Sequence, residues 1–438
     1  MPETFDELNK RQRQRDMIAQ QRLRRRKQER TIRFVTLFSV LAVCLLVIVV
    51  LIARGGQQDP SADLSTPPAS TTTAPTLPPT TAPTMPAPPV EPETVIHLTF
   101  GGDLNVTDFV VGAGAKDGQY DYTDLLLDAA AVFAGADCAF LNLEGSVNGA
   151  PYGSASASAP QQLLEALRAA GVDMLQLANS RAVFNGLGGL RNTMDAVRSA
   201  GMEPLGVFAD QAEFQQTQGF TLVNIRGVRV AIVAFTKGMD GMSLPAGGEN
   251  CVNLLYTDYA TTYQKVNTEG ITSILQAAQA QKPDVTIALV HWGSEYNDTI
   301  SPTQQQIAEL MIAQGVDAIV GTHSHFVQQI VYDEEAGTVI AYSLGDFLGN
   351  GEKAGTNYSI LLQLQITKNN TTGETRITGC DYTGLYLLTP AKDNEPPRLV
   401  QIQPAMAMYE NNHVGKVSDL AYANMKYAWQ RILDRVAA

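Results

Sequence analysis

From residue 94 onward the apolar positions switch repeatedly between two periods. TVIHLTFGGD (94–103) reads as a strand that ends in a glycine turn, and YTDLLLDAAAVFAGA (122–136) repeats at helical spacing. The alternation continues with a strand over 137–145, a helix over 161–171 closed by Gly171 and a strand over 172–179. A helix over 188–201 closed by Gly201, a short strand over 203–207 and two strands within 220–236 about the turn Arg226-Gly227 come next. A helix is predicted over 261–281. The run DVTIALVHWG (284–293) is a strand buried on both faces by its composition. The segment 302–315 starts on proline and ends on glycine, as helices do. Strands follow within 316–332 and 338–347, then two more near 358–380 joined by TKNNTTGET, and an amphipathic helix over 417–437 closes the chain. Strands and helices alternating in units of roughly 30 residues predict an α/β layered domain.

Upstream the pattern is different. Phe34 to Ala53 is apolar and uncharged. At about 1.5 Å per residue such a run spans the hydrocarbon of a bilayer as one transmembrane helix. No A-x-A-like cleavage site follows Ala53, which favours an anchor over a cleaved signal peptide. Eleven Lys and Arg precede the span and only Arg54 follows it closely, which places the N-terminus in the cytoplasm and the rest outside. The segment 54–93 is rich in Pro and Thr and reads as a semi-rigid extended spacer. The predicted divisions are therefore a basic cytoplasmic tail (1–33), a transmembrane helix (34–53), a linker (54–93), a main domain (94–380) and a C-terminal extension with a helix (381–438).

Charge narrows the partners. Beyond Arg54 the chain holds 19 Lys and Arg against 39 acids, which argues against a nucleic-acid partner. Beyond Cys44, Cys138, Cys251 and Cys380 are too few for a disulfide framework.

In layered α/β sheets ligands gather beyond the carboxyl ends of the strands. Here those ends carry Gly101-Gly102-Asp103, Asn142-Leu143-Glu144, Ala178-Asn179-Ser180, His291-Trp292-Gly293 and His323-Ser324-His325. Taken singly, each has a plain reading as a turn, a capped strand end or a core histidine. Taken jointly they do not, because three of the five histidines fall between 291 and 325, at two neighbouring strand ends. His97 and His413 have no such context and read as structural or exposed. Asp103, Glu144, Asn179, His291, His323 and His325 form a mixed oxygen and nitrogen set that suits Mn, Zn or Fe. Six ligands exceed one four-coordinate site, so two divalent ions are expected, with Glu144 as the bridge. Such a pair clamps a phosphoryl or acyl oxygen and activates water. In extended chain, residues two apart share a face, which would send His323 and His325 into one site and turn Thr322 and Ser324 away.

The ordered motifs TFGGDL, FLNLEGSV, LQLANS, VHWGSEY, VGTHSHFVQQI and AYSLGDF, over about residues 94–350, resemble the capsule-synthesis CapA family. The resemblance implies a calcineurin-like metallophosphatase fold, a four-layer αββα sandwich, on a membrane-anchored extracellular protein. It also implies a role in making, exporting or anchoring an anionic capsular polymer of the poly-gamma-glutamate type. The implied partners are that polymer or an envelope glycan, and membrane synthase subunits. The same six residues match the family's ligands. The family's Ala-Asn-Asn-His becomes Ala178-Asn179-Ser180-Arg181, and its Ser-Leu-Gly-Asn-Phe becomes Ser343-Leu344-Gly345-Asp346-Phe347. Arg181 cannot give up a proton near neutral pH but pairs well with phosphate or carboxylate oxygens, and Asp346 adds an acid beside the site. Two readings stay open: a metal-dependent hydrolase, and a non-catalytic envelope assembly factor that binds metal or polymer.

Overall fold

The computed structural model describes residues 92–389, 395–411 and 417–437. The basic tail, the apolar span at 34–53, most of the linker and His413 lie outside them. No helix among the described residues is long and apolar enough to cross a membrane.

Two mixed sheets dominate. The first contains β1 (Glu93–Asn105), β4 (Cys138–Glu144), β5 (Met174–Gln176), β6 (Glu203–Leu205), β13 (Asp346–Leu348), β14 (Tyr358–Asn369), β15 (Thr375–Leu388) and β16 (Arg398–Gln401), in the order β16-β15-β14-β1-β4-β5-β6, with β13 beside the end of β1. The second contains β7 (Phe220–Ile225), β8 (Val228–Thr236), β9 (Val285–His291), β10 (Ala318–Thr322), β11 (Ile330–Asp333) and β12 (Thr338–Ala341), in the order β11-β12-β10-β9-β8-β7. A small ribbon pairs β2 (Ala115–Lys116) with β3 (Gln119–Tyr120). The central strands β1, β4, β5 and β6 are mutually parallel, as are β8, β9, β10 and β12. Their carboxyl ends therefore emerge together.

Alternation within the second sheet shows how the layers form. Val230, Ile232 and Ala234 of β8 and Ile287 and Leu289 of β9 share one core with Ile96, Leu98 and Phe100 of β1. Their neighbours Ala231, Val233, Phe235, Ala288 and Val290 pack instead with Ile271 and Leu275 of α6 (Thr268–Ala280) and with Ile307 and Met311 of α7 (Pro302–Ala313). One period-2 pattern thus serves two interfaces. The first sheet takes its own helical cover from α2 (Thr123–Phe133) and α3 (Gln161–Ala170), through Leu125, Phe133, Leu163 and Leu167. Each such side chain stabilises the fold by about 1.5–3 kcal/mol when fully buried. The remaining helices are α1 (Asp108–Gly114), α4 (Gly186–Ser199), α5 (Gln211–Thr217), α8 (Ile402–Glu410) and α9 (Asp419–Val436).

Local signals act as expected at several ends. Ser301 and Gln304 form a capping box around Pro302 at the start of α7. The β7–β8 hairpin turns at Arg226 and Gly227, with φ of 52° and 91°. Three expectations are corrected. The helix predicted over 261–281 begins only at Thr268, because Asp258 takes the N–H groups of Gln264 and Lys265 and Asn267 caps the helix through Gly270 N–H. The strand predicted over 172–179 is confined to Met174–Gln176. The segment 316–332 is not continuous strand: β10 stops at Thr322, and extended structure resumes in β11 at Ile330.

β15 runs through residues 380 and 381, and its last residues pair with β16. Helix α9 buries Met425, Ala428 and Ile432, and a Cβ on Gly384 of β15 would stand 2.9 Å from the Trp429 ring, so the close approach of helix and sheet requires glycine there. Cys251 and Cys380 are free thiols.

Candidate metal centre

The ends of β1, β4 and β5 in one sheet meet those of β9 and β10 in the other. Asp103 and His291 are fully buried, and Glu144, His323 and His325 are between 2 and 6% exposed. Asp103 ties the sheets together. Its Oδ1 accepts from Asn142 Nδ2 at 2.6 Å, and its Oδ2 accepts the His323 backbone N–H at 2.8 Å. His291 Nδ1 and His325 Nδ1 each stand 3.7 Å from an Asp103 oxygen, and His291 Nε2 is 3.6 Å from Glu144 Oε1. The His291 spacings exceed those of good hydrogen bonds and match ligands that share an ion, whereas His325 Nδ1 is bonded to Asp346 at 2.8 Å and leaves Nε2 for an ion.

His323 and His325 do converge, but not by strand alternation. Their φ angles are 88° and 58°, so the pair sits on a sharp left-handed turn past β10. The bond from His323 N–H to Asp103 helps hold that turn in a conformation that L-residues ordinarily avoid. Thr322, expected to face away, puts its hydroxyl 3.0 Å from His291 Nδ1. Ser324 does turn away and bonds to Phe326 O at 2.7 Å.

The other expected residues fall into distinct places. Asn179 donates to Asn142 Oδ1 at 3.0 Å and to Leu143 O at 2.7 Å, while its own Oδ1 accepts Arg181 N–H at 3.0 Å. Its oxygen thus has one lone pair left for an ion. Asp346 is buried, accepts from Asn105 Nδ2 at 2.9 Å and lies 2.8 Å from His325 Nδ1. Arg181 stands at the rim, 3.5 Å from Asp240 and 5.2 Å above the Phe184 ring. A cavity of about 270 Å³ joins these groups, lined among others by Glu144, Arg181, Glu295, His325, Asp346 and Lys353.

Several participants were not among the expected residues. Ser180 Oγ is 3.1 Å from His291 Nε2. Lys237 Nζ is 3.2 Å from His323 Nε2 and donates to Gly293 O at 2.9 Å. Glu295 Oε1 is 3.9 Å from His325 Nε2. Lys237 follows directly on β8, so the strand-end rule that found the other residues would have reached it too.

Burial and mutual charge set the protonation of the ion-free cluster. Burial, then the neighbouring Glu144, holds Asp103 above the usual carboxylate range. Burial works against ionisation of Glu144 as well, but His291 and His325 outweigh it and bring the group to about 2. Burial pushes Asp346 up to about 6, against the pull of His325. Burial alone would lower His325, yet its bond to Asp346 and the neighbouring Glu295 carboxylate raise it to about 12. Burial and the adjacent His291 hold His323 well below its ordinary value.

Two atoms test whether the cluster suits a cation. Glu144 Oε2 and His323 Nδ1 are buried with no hydrogen-bond partner. Each such group costs about 1–3 kcal/mol when left unsatisfied, and a cation between them would satisfy both. Donor atoms lie within 4.8 Å of one another in the groups Glu144/His291/His323 and Asp103/Glu144/His325, and both groups use Glu144. The residues fit a divalent ion, with Glu144 in the shared position.

A pH dependence follows. A histidine must lose its proton to bind an ion. His325, raised to about 12 in the ion-free chain, is protonated at neutral pH, so ion affinity should rise with pH and binding should release protons. Calorimetry in buffers of different ionisation enthalpy measures the release. An affinity flat between pH 6 and about 9 would contradict the assignment of His325 as a ligand.

Fold and site together define a layered α/β protein with a candidate divalent-metal centre at the strand ends. The family described as bacterial capsule synthesis protein PGA_cap matches residues 97–351, more than half of the chain, and the chain belongs to that family. It is 29% identical over 217 residues to the capsule biosynthesis protein CapA of Bacillus anthracis, covering 49% of each chain. It is likewise 29% identical over 226 residues to the PGA biosynthesis protein CapA of Bacillus subtilis (strain 168), covering 50% of this chain and 52% of that one. The chain thus spans about half the length of these curated relatives. Among solved structures, the calcineurin-like phosphoesterase YfkN from Bacillus subtilis superposes with a TM-score of 0.41 at 14% identity, covering 78% of this chain and 99% of that one. A phosphatase from Mycoplasma pneumoniae gives 0.40 at 13% identity, covering 67% and 94%. Superpositions this loose carry no activity across.

Proposed function

We propose that this protein is a membrane-anchored, extracellular factor in the synthesis, export or anchoring of an anionic capsular polymer, and that its buried acid–histidine cluster is a two-ion centre that hydrolyses a phosphoester or polymer bond. The observation that carries the reading is the pair of orphaned buried atoms, Glu144 Oε2 and His323 Nδ1, inside a cluster that opens on a cavity. Family membership supports the capsule role, and the basic tail, apolar span and Pro/Thr-rich linker of the sequence support the anchor and its orientation.

When bound, divalent ions supply Lewis-acid polarisation and activate water. The chain's own residues do the rest. Asp103, Glu144, His291, His323 and His325 would hold the ions, and the remaining lone pair of Asn179 Oδ1 would be available to them. Asp346 fixes the His325 ring through Nδ1 and so directs Nε2 outward. Arg181 supplies a guanidinium at the cavity rim for a substrate oxyanion. Tyr296 lies against His325 with ring centroids 5.1 Å apart and carries Lys353 Nζ 3.5 Å from its ring centroid, and the three side chains line one side of the cavity.

One observation favours the second reading, a non-catalytic polymer-binding assembly factor. The position where the CapA resemblance expects an imidazole holds Arg181, which cannot deliver a proton. Phosphodiester and γ-glutamyl cleavage by the ion-loaded full chain separates the two. Hydrolysis predicts turnover that His323→Ala abolishes and Arg181→Ala lowers by about 100-fold, a loss typical of one transition-state donor. Bound ion without turnover, unimproved in Arg181→His, would favour the assembly factor. Protease added to intact cells should reach the outer domain, and full protection would overturn the orientation.

A further inference from the structure

We propose that Glu295 is an additional ion ligand, forming with His323 and His325 an outer coordination face that opens onto the cavity; this rests on the reading that the centre holds divalent ions.

Glu295 lies just past β9 on a turn fixed to the two histidines. Tyr296 N–H donates to Ser324 O at 2.8 Å, between His323 and His325. Gly293, at the base of the turn, takes Lys237 Nζ on its carbonyl at 2.9 Å, and Lys237 also touches His323. The backbone therefore holds Glu295 beside this pair, and its carboxylate faces the His325 ring.

The nitrogen geometry selects the same face. His325 Nδ1 is taken by Asp346 at 2.8 Å. A carboxylate on one ring nitrogen is the usual support of a histidine that ligates through the other. The other nitrogen, Nε2, looks toward Glu295 Oε1 at 3.9 Å. That is too long for a good hydrogen bond, and it is the spacing of two donors each about 2 Å from one ion. Glu295, His323 and His325 each offer a donor atom within 4.8 Å of the others.

This face differs from the two buried groups. The Glu295 side chain is 44% exposed, whereas Asp103, Glu144 and His291 are closed off. A ligand at the mouth can exchange with incoming substrate oxygens, while buried ligands keep the ion in place. Asn179, whose oxygen already accepts Arg181 N–H, is the less available oxygen donor of the two.

The competing role for Glu295 is that of a counter-ion to protonated His325, and Co2+ titration of the full chain distinguishes them. Glu295→Gln should lower the affinity for the more weakly held Co2+ by about tenfold or more and change its visible absorption spectrum. Glu352→Gln, at another acid of the same cavity, should leave both unchanged. The exposed position of Glu295 predicts unaltered thermal unfolding in chelator, which checks the fold of the variant. Wild-type affinity and spectrum in Glu295→Gln would overturn this assignment alone. A wild-type chain that takes up no Co2+ would overturn it together with the metal reading.

Discussion

Glu144→Gln should abolish tight divalent-ion binding, by more than the ~10–100-fold that partners outside the coordination shell are worth. Both buried ligand groups use Glu144, so no pair of the remaining side chains rebuilds either one. Its Oε2 is the buried carboxylate oxygen without a partner. Glutamine keeps the volume and removes the charge, so the loss cannot be laid to a cavity. The ion-free chain responds differently. Glu144 is brought to about 2 by His291 and His325 against the opposing effect of burial, so its ionised form stabilises the ion-free fold at neutral pH, and the variant loses that pairing. Thermal unfolding in chelator should therefore find Glu144→Gln folded but modestly less stable than wild type at neutral pH, while titration with Mn2+ or Zn2+ shows no tight site. A variant that binds ions like wild type would remove Glu144 from the centre.

Gly102→Ala inactivates the site without touching a ligand. A Cβ at this position would stand 1.8 Å from Gly345 O, a backbone atom that cannot swing away. The same carbonyl accepts Asp103 N–H at 3.0 Å, and the next residue of that loop is Asp346. The methyl group must part β1 from the loop and so moves Asp103 and Asp346 at once. Overpacking of this kind costs about 1–3 kcal/mol or more, and ion binding should fall with it. Gly188→Ala is the contrast. Nothing lies within 4 Å of its Cβ position, it sits in α4, and alanine there should stabilise by up to about 1 kcal/mol. Denaturant unfolding of the pair reads both signs. Wild-type stability and ion affinity in Gly102→Ala would mean that the β1–loop contact does not set the site.

The clustering of these side chains was largely legible from sequence because they sit at strand ends, where hydrophobic period and polar chemistry meet. Asp103, Glu144 and His291 lie within or at the last residues of β1, β4 and β9, and the boundary itself points to them. The His323–His325 pair was found for a reason that does not hold. Extended alternation would place Thr322 outside, but left-handed φ at both histidines brings Thr322 inside. Nothing local in the sequence announces such a turn. It depends on Asp103, 220 residues away along the chain, accepting the His323 N–H. Glu295 shares that difficulty, because its part depends on a contact between two loops past different strands, whereas Lys237 and Ser180 stand at strand ends that the same rule reaches. The closing helix shows the same split. Its period predicts α9, but its seat depends on Gly384, where the absence of a side chain admits Trp429.

Ion content of the purified full chain is the most direct test of the central claim. After chelation and dialysis against Mn2+ or Zn2+, elemental analysis should find about two equivalents per chain, as expected of a two-ion centre. Glu144→Gln should retain none held tightly. A wild-type chain that stays ion-free at saturating Mn2+ and Zn2+ would contradict the account, leaving Glu144 Oε2 and His323 Nδ1 as buried polar atoms with no partner and no purpose.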